Sequence, residues 1–478
     1  MIIGKGLTKT FTGEPVFRNI DFRVGNNRKV ALVGKNGCGK STLFKIISGE
    51  IVPDTGNVIL EAEKIGYVPQ EIVFPDELVG EFIEKRLENN WDFYKVEKLL
   101  DRLEFENFDP YQEISTLSEG QKMKLKLLET LLEEPTFLLI DEPTNHLDIE
   151  GILWLENYLK NLDKTVLMIS HDREFLNNTV DEIWEIDNKT LYRFVGNYDN
   201  YKEEKLRLIN KWDEEYIQFV KKKAQLERLL ERARVHKVSR KGGTEQVKSR
   251  IKREIEDNKK EKYLDKRMSE VQFETGVTHS KLMTRFESVS KSYSTNQIFS
   301  DLSFDIRGGE KVWLFGPNGA GKTTIVKMLI GEEEPSEGIV KIGDNIKIGY
   351  FAQKQTHLDY NKDLLNAFID ETRCSYGEAF GKLNKFMFEK DDLVKRVRNL
   401  SPGQRARFAF ALFAYKNYDM LVLDEPDNHL DIDTKEVLED SLREYKGTLL
   451  LISHDRFFVE RIGVDKVLNL KEGTLTLY

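Results

Sequence analysis

Cysteine is scarce in this chain: Cys38 and Cys374 are the only two among 478 residues. Two isolated thiols build neither a disulfide framework nor a zinc site of paired cysteines, and a reducing compartment is expected. Long apolar runs are missing as well. None approaches the roughly 18 residues that a bilayer-spanning helix needs. The opening Met1-Ile2-Ile3-Gly4-Lys5 passes straight into a strand-like pattern, so no signal peptide is expected and localisation is read as cytoplasmic. No tail is expected after Tyr478. Histidine is rare too, with seven in all, so a histidine position that recurs carries weight.

What is present is charge. Charged residues make up 32% and hydrophobic residues 40%, a soluble globular balance with room for two or three domains. The net charge of −9 weighs against a polyanionic partner, but it hides an asymmetry. Residues 202–270 hold 22 Lys/Arg against 14 Asp/Glu, and residues 221–253 hold 13 against three. The rest of the chain is correspondingly acidic. From Lys202 to about Val238, apolar residues fall at Leu208, Trp212, Tyr216, Phe219, Leu226, Leu230 and Ala233, a helical stripe. Gly242-Gly243 breaks it, and Val247, Ile251 and Ile255 resume at four-residue spacing. The pattern predicts two long helices in a hairpin, each on the order of 50 Å at 1.5 Å per residue. The basic cluster falls around the hairpin tip. A solvated charged linker is the plainer account; the stripe and the sign bias favour a working surface for a polyanion.

One stretch is written twice. Gly34-Lys35-Asn36-Gly37-Cys38-Gly39-Lys40-Ser41 returns as Gly316-Pro317-Asn318-Gly319-Ala320-Gly321-Lys322-Thr323. Leu117-Ser118-Glu119-Gly120-Gln121 returns as Leu400-Ser401-Pro402-Gly403-Gln404, Asp141-Glu142 as Asp424-Glu425, and His171 as His454. A fixed period means two copies of one domain. The boundaries are read as 1–200 and 280–478, with a basic helical linker over 201–279. Apolar runs such as Val30-Ala31-Leu32-Val33, Phe137-Leu138-Leu139-Ile140 and Met420-Leu421-Val422-Leu423 read as parallel strands buried on both faces.

The repeated motifs require a particular chemistry. Both loops satisfy G-x-x-x-x-G-K-[S/T] between a strand and a helix, the context of a phosphate-binding loop. Backbone amides along Gly34, Asn36, Gly37 and Gly39, and along Gly316, Asn318, Gly319 and Gly321, are expected to curl round the phosphates of a nucleoside triphosphate. Thr42 and Thr324 lie where the following helices add their dipoles. Lys40 and Lys322 bring point charges to the β/γ oxygens, and Ser41 and Thr323 offer a hydroxyl to Mg²⁺. Asp141 and Asp424 end apolar strands within reach of that ion. Glu142 and Glu425 are placed to orient and deprotonate an attacking water. Ser118 and Ser401 begin helices. A helix cap explains the serines and leaves the recurring glycine and glutamine to another cause.

The combination of phosphate loop, LSxGQ, apolar-DEP and a later Ser-His-Asp resembles the ATP-binding cassette superfamily. Asp141-Glu142-Pro143-Thr144-Asn145-His146-Leu147-Asp148 is similar to the signature of its ABC-F branch, and the resemblance covers essentially the whole chain. It implies an α/β fold with two P-loop NTPase ATP-binding cassettes in tandem, joined by a long α-helical hairpin linker. It also implies an ATPase whose cassettes close head to tail over two ATP molecules, as a monomer with intramolecular pairing. Each ATP would lie between one phosphate loop and the other half's Ser118, Gly120 and Gln121, or Ser401, Gly403 and Gln404. Gln70 and Gln353 resemble the residues that help hold Mg²⁺ and water. His171 and His454 resemble the histidine that senses γ-phosphate, and Asp148 and Asp431 the aspartates that cross the interface. Phe11 and Tyr293, each 29 residues before its lysine, resemble the aromatic that stacks on adenine; core packing is the alternative. His146 and His429 also occupy matched positions.

The second copy departs in one place, with Asp427 where the first has Thr144. A carboxylate beside Glu425 is expected to raise its pKa and slow the Lys322/Ser118 site, unless Asp427 points to solvent. Cys38 is either a thiol-sensitive spot or simply a small residue that fits. Both intervals from glutamine to signature serine are 48 residues, which leaves no room for an inserted arm. The resemblance implies a ribosome-binding protein whose linker, residues 221–253, meets rRNA and tRNA. Its role would be that of a general translation factor or of antibiotic target protection. The competing classes are a fused ATPase serving a separate membrane permease and a DNA-associated cassette protein.

Overall fold

The structure is a computed structural model. It describes residues 1–11, 13–60, 63–87, 93–105, 108–145, 147–235, 249–250, 253, 268, 273, 281–293, 296–352, 360–428, 430–471 and 474–477. The chain divides into two compact units, residues 1–198 with 267–478, and residues 199–266.

The first unit contains one layered plan twice. In the first copy a six-stranded sheet runs in the order Ile65–Val68, Phe137–Asp141, Thr165–Ile169, Lys29–Gly34, Glu182–Asp187, Thr190–Val195. In the second the order is Ile348–Phe351, Met420–Asp424, Thr448–Ile452, Lys311–Phe315, Lys466–Lys471, Thr474–Leu477. All neighbours are parallel except the last pair of each sheet. Every residue of Phe137–Asp141, Thr165–Ile169, Met420–Asp424 and Thr448–Ile452 is buried, as their unbroken apolar runs require.

A three-stranded antiparallel sheet covers each larger one: Glu14–Val24, Ile2–Phe11 and Thr55–Leu60, then Asn296–Arg307, Leu282–Tyr293 and Glu337–Ile342. Phe17, Leu32, Phe44 and Trp184 belong to the core of the first copy, and Phe286, Phe299, Val312 and Ile325 to that of the second. A further core gathers Phe368, Phe388 and Phe408. Met268 and Phe273, counted with the linker from sequence, pack into it.

The strand order positions the site. Thr165–Ile169 lies between the glycine-loop strand and the strand ending in Asp141, so three strand C-termini open on one edge. The helix Lys40–Ile47 begins after Gly39, whose φ of 105° is left-handed; a Cβ there would stand 2.4 Å from Val16 Cγ1. Gly321 repeats this with φ 100° and a Cβ 2.6 Å from Ile298 Cγ2. Only glycine meets both demands.

The second unit contains most of one helix, Tyr198–Val235, 38 residues or ~57 Å at 1.5 Å each. Leu208, Trp212, Tyr216, Phe219 and Leu226 are half-buried along it, while Lys221, Lys222, Lys223 and Arg228 are exposed. The predicted stripe therefore lies on one face. The expected break at Gly242-Gly243 and the return stripe at Val247, Ile251 and Ile255 lie outside the described residues, as does most of the basic tip.

Candidate active site

Each glycine loop wraps its own lysine. Lys40 Nζ donates to the carbonyls of Gly34 at 2.8 Å and Lys35 at 3.3 Å. Lys322 Nζ donates to Gly316 at 2.6 Å and Pro317 at 3.0 Å. Burial presses the Lys322 pKa down, against the pull of Glu425 and Asp424. Thr323 Oγ1 lies 3.3 Å from Asp424 Oδ2. Burial also raises Asp141 and Asp424 to about 6. A buried carboxylate beside a hydroxyl is an oxygen donor set that fits a hard divalent cation.

The glutamates that follow stand in an uncommon backbone conformation. Glu142 has φ 48° and Glu425 φ 50°, the left-handed region, at a cost on the order of 1–3 kcal/mol for a residue with a side chain. Their amides are held at 2.9 Å by the carbonyls of Ile169 and Ile452 on the neighbouring strands. The turn aims each carboxylate inward. Glu142 Oε1 lies 3.3 Å from His171 Nε2, and Glu425 Oε1 3.7 Å from His454 Nε2. Both glutamates are pushed up to about 7, in each case mainly by burial. His454 is driven down to about 4 by burial and by the Lys322 charge, so its imidazole is neutral. A carboxylate with pKa near 7 next to a histidine is the composition of a general base.

The second copy completes the site of the first, whereas Ser118, Gly120 and Gln121 are not brought into a described cleft with Lys322. A cleft of about 530 Å³ is lined by Phe11, Lys40, Gln70, Glu142 and His171 from the first, and by Ser401, Gly403, Gln404 and Arg407 from the second. Asp431 Oδ2 accepts from the Asn36 amide at 2.9 Å across that interface, while its Oδ1 caps its own helix through the Thr434 amide. In the opposite direction the Asp148 charge acts on Lys322 and His454, and Asp148 caps its helix through Gly151. Phe11 and Tyr293 are 46% and 45% exposed, so neither is a core residue. Gln353, His146 and His429 lie outside the described residues.

The signature segments show what their glutamines do. Ser118 Oγ accepts from the Gln121 amide at 3.2 Å, and Gln121 Oε1 accepts from the Ser118 amide at 2.9 Å. Ser401 and Gln404 pair in the same way at 3.2 and 3.1 Å. Each is a capping box, so the cap accounts for glutamine as well as serine, and only the glycine asks for another cause. Sequence reasoning had separated the two, although S-x-x-Q was in plain view.

Between the sites lies a buried charged cluster that sequence reasoning missed. Asp427 does not point to solvent: it is buried, as are Lys435 and Asp455, with Asp172 half-buried beside them. Asp427 adds its like-charge push to Glu425, but Glu142 reaches about the same pKa by burial without it. The expected push of Asp427 on Glu425 is present, and burial is the larger cause at both glutamates. Arg173 makes a buried bidentate ion pair with Glu439, joining the two copies. Arg407 was also missed. It stands three residues beyond Gln404, one helical turn from the signature, which is the signal that could have found it. Asn428 Nδ2 donates to Glu425 Oε2 at 2.6 Å. Burial raises the Cys38 thiol, which keeps it un-ionised and favours the small-residue reading.

Comparison with known proteins agrees with this geometry. A family model described as ABC transporter matches residues 17–145 and 299–428. ABC transporter F family member 5 of Arabidopsis thaliana is 31% identical over 99% of this chain and 75% of its own length. Ribosome protection protein VmlR of Bacillus subtilis is 32% identical over 96% of this chain and 85% of its own. Among solved structures, the RNase-L inhibitor covers 97% of this chain and 87% of itself, with a TM-score of 0.65 at 23% identity. That likeness speaks for the fold alone. Among the described residues, no helix is long and apolar enough to cross a membrane.

Proposed function

The chain belongs to the ABC-F family of ATPases, and from that premise we propose that ATP closes its two cassettes head to tail and that the closed form engages the ribosome. Hydrolysis then reopens the pair and releases it. The observation that carries this reading is the composite cleft, in which Lys40 and Glu142 of one cassette face Ser401 and Gly403 of the other. A site of that kind is complete only when the cassettes are together, so ATP occupancy and closure favour one another.

In the chemical step Lys40 and Lys322 neutralise charge on the β- and γ-phosphates. The signature amides face the γ-phosphate from the opposite side. Glu142 or Glu425 takes a proton from water as its oxygen attacks phosphorus, the bond to the β-phosphate oxygen breaks, and ADP and phosphate leave. His171 Nε2, 3.3 Å from the carboxylate, holds Glu142 toward that water. Ser41 with Asp141, and Thr323 with Asp424, would hold Mg²⁺, which supplies further charge neutralisation when bound. Gln70 and Phe11, which both line the cleft, are assigned the water-side and adenine-side roles in this reading.

The ribosome as partner is supported by the likeness to VmlR, a ribosome protection protein, and by the excess of cations over residues 221–253. Such a stretch suits rRNA and tRNA, which are recognised by shape and phosphate more than by base edges. A protein that acts on ribosomes would function in the cytoplasm. The role is translation, as a general factor or in drug protection. Loss of the chain slows growth in the first case and raises antibiotic sensitivity in the second.

The test is sedimentation of cell extract containing the Glu142→Gln/Glu425→Gln variant, with ATP and with ADP. Co-sedimentation with ribosomes in ATP, lost when the basic residues of 221–253 are neutralised, is the expected outcome. Sedimentation with membranes would instead assign the chain to a permease.

A further inference from the structure

We infer that Lys435 is a positioning residue for the first ATP site, supplied by the second cassette, and that Ile152, the residue at the mirrored position, cannot do the same for the second. Lys435 stands on the helix Ile432–Glu444. Its ammonium is buried, 3.0 Å from Asp455 Oδ2 in its own cassette, and it donates at 3.3 Å to the carbonyl of His171 in the other. Asp427 and Asp172 also act on it electrostatically. An isolated buried ammonium is strongly unfavourable, and these carboxylates offset that cost. The hydrogen bond to His171 fixes the peptide from which the imidazole reaches Glu142.

The period of the chain shows what stands at the mirrored place. Residues 283 positions earlier than Asp427 and Lys435 are Thr144 and Ile152. Isoleucine has no donor, so nothing from position 152 holds the carbonyl of His454. The two pairs also differ, with His171 3.3 Å from Glu142 and His454 3.7 Å from Glu425, whose other oxygen accepts from Asn428. A cavity of about 30 Å³ lies among these groups, bordered by both glutamates, both histidines, Asp427 and Lys435. The cassettes thus meet through a cluster that supports one site and not the other.

This inference rests on the reading that Glu142 and His171 act on the attacking water. Single-turnover hydrolysis separates the two ideas, with the first site followed in a Glu425→Gln background and the second in Glu142→Gln. Lys435→Met is expected to slow the first site about tenfold more than the second, the scale of effect produced by slight misplacement of a reacting group. Asp427→Thr/Lys435→Ile copies the first cassette's own pair and removes one buried carboxylate. It is expected to recover the unfolding temperature that Lys435→Met loses, while the first site stays slow. Equal slowing of both sites by Lys435→Met, or recovery of the first site in the double variant, would overturn the inference. Hydrolysis persisting in Glu142→Gln/Glu425→Gln would overturn the site reading itself, and it is seen before Lys435 is changed.

Discussion

The first and second cassettes carry their reacting groups on the same strand order, but the residues behind those groups differ. Lysine, aspartate, glutamate and histidine recur in register, and both glutamates occupy the same left-handed backbone with pKa values of about 7. Where cassette packs on cassette, Thr144 and Ile152 on one side answer Asp427 and Lys435 on the other. The ion pairs differ as well. Arg173 and Glu439 have side chains 1% and 0% exposed, whereas the mirrored Arg456 is 32% exposed and lies 3.7 Å from Glu156 and 2.9 Å from Glu174. Groups proposed to touch nucleotide would be constrained by the same ligand twice. Groups that touch the other cassette meet a different surface on each side, so an interface between repeats acquires a direction.

The largest expected effect tests the part that is alike. Glu142→Gln/Glu425→Gln should lower steady-state phosphate release by roughly 10²–10⁴-fold, the range of a lost general base, with ATP still bound. Each single variant should leave turnover by the other glutamate. The next prediction sharpens the difference. Arg173→Met leaves Glu439 buried without its partner and should cost about 3–5 kcal/mol. Arg456→Met, at the more exposed pair, should cost about 1 kcal/mol or less. Denaturant unfolding of the two variants side by side reads this directly.

The pH profile returns to the likeness. A base must be ionised, so single-turnover hydrolysis at either site should rise about tenfold per unit up to a shared midpoint near 7. Separate midpoints would show that Asp427 matters more than burial. Stability moves the other way. The folded-state pKa of each glutamate is raised from 4.5 to about 7, so the nucleotide-free fold binds more protons than the unfolded chain between those values. This contribution is fully present below 4.5 and is lost as pH rises through about 7. The smallest effect belongs to the caps. Ser118→Ala and Ser401→Ala should each destabilise by about 1 kcal/mol, equally, because the two capping boxes are alike.

Much of this was legible in the residue order. The glycine loops, the buried strands ending in Asp141 and Asp424, and the helix starts at Ser118 and Ser401 are local features with local causes. So is the stripe from Leu208 to Leu226. The glutamine of each capping box was legible too, since S-x-x-Q at a helix start is a local pattern. The left-handed φ of Glu142 was not legible, since glutamate gives no local reason for it and the neighbouring Ile169 carbonyl imposes it. Nor was the fate of Asp427, which interacts electrostatically with Lys435 eight residues along the chain but borders a cavity shared with Glu142, Thr144 and His171 of the first cassette. Arg173 and Glu439 are separated by 266 residues, and only the assembled pair of cassettes brings them together.

The claim that each ATP site is built from both cassettes can be tested in one comparison. In the Glu425→Gln background only the first site hydrolyses, and the signature serine is replaced by arginine in either cassette. Both changes remove the same helix cap, so their stability costs cancel. Ser401→Arg should abolish single-turnover hydrolysis, while Ser118→Arg should lower it far less. Loss of activity in Ser118→Arg with activity retained in Ser401→Arg would mean that each cassette serves its own site, contradicting the account.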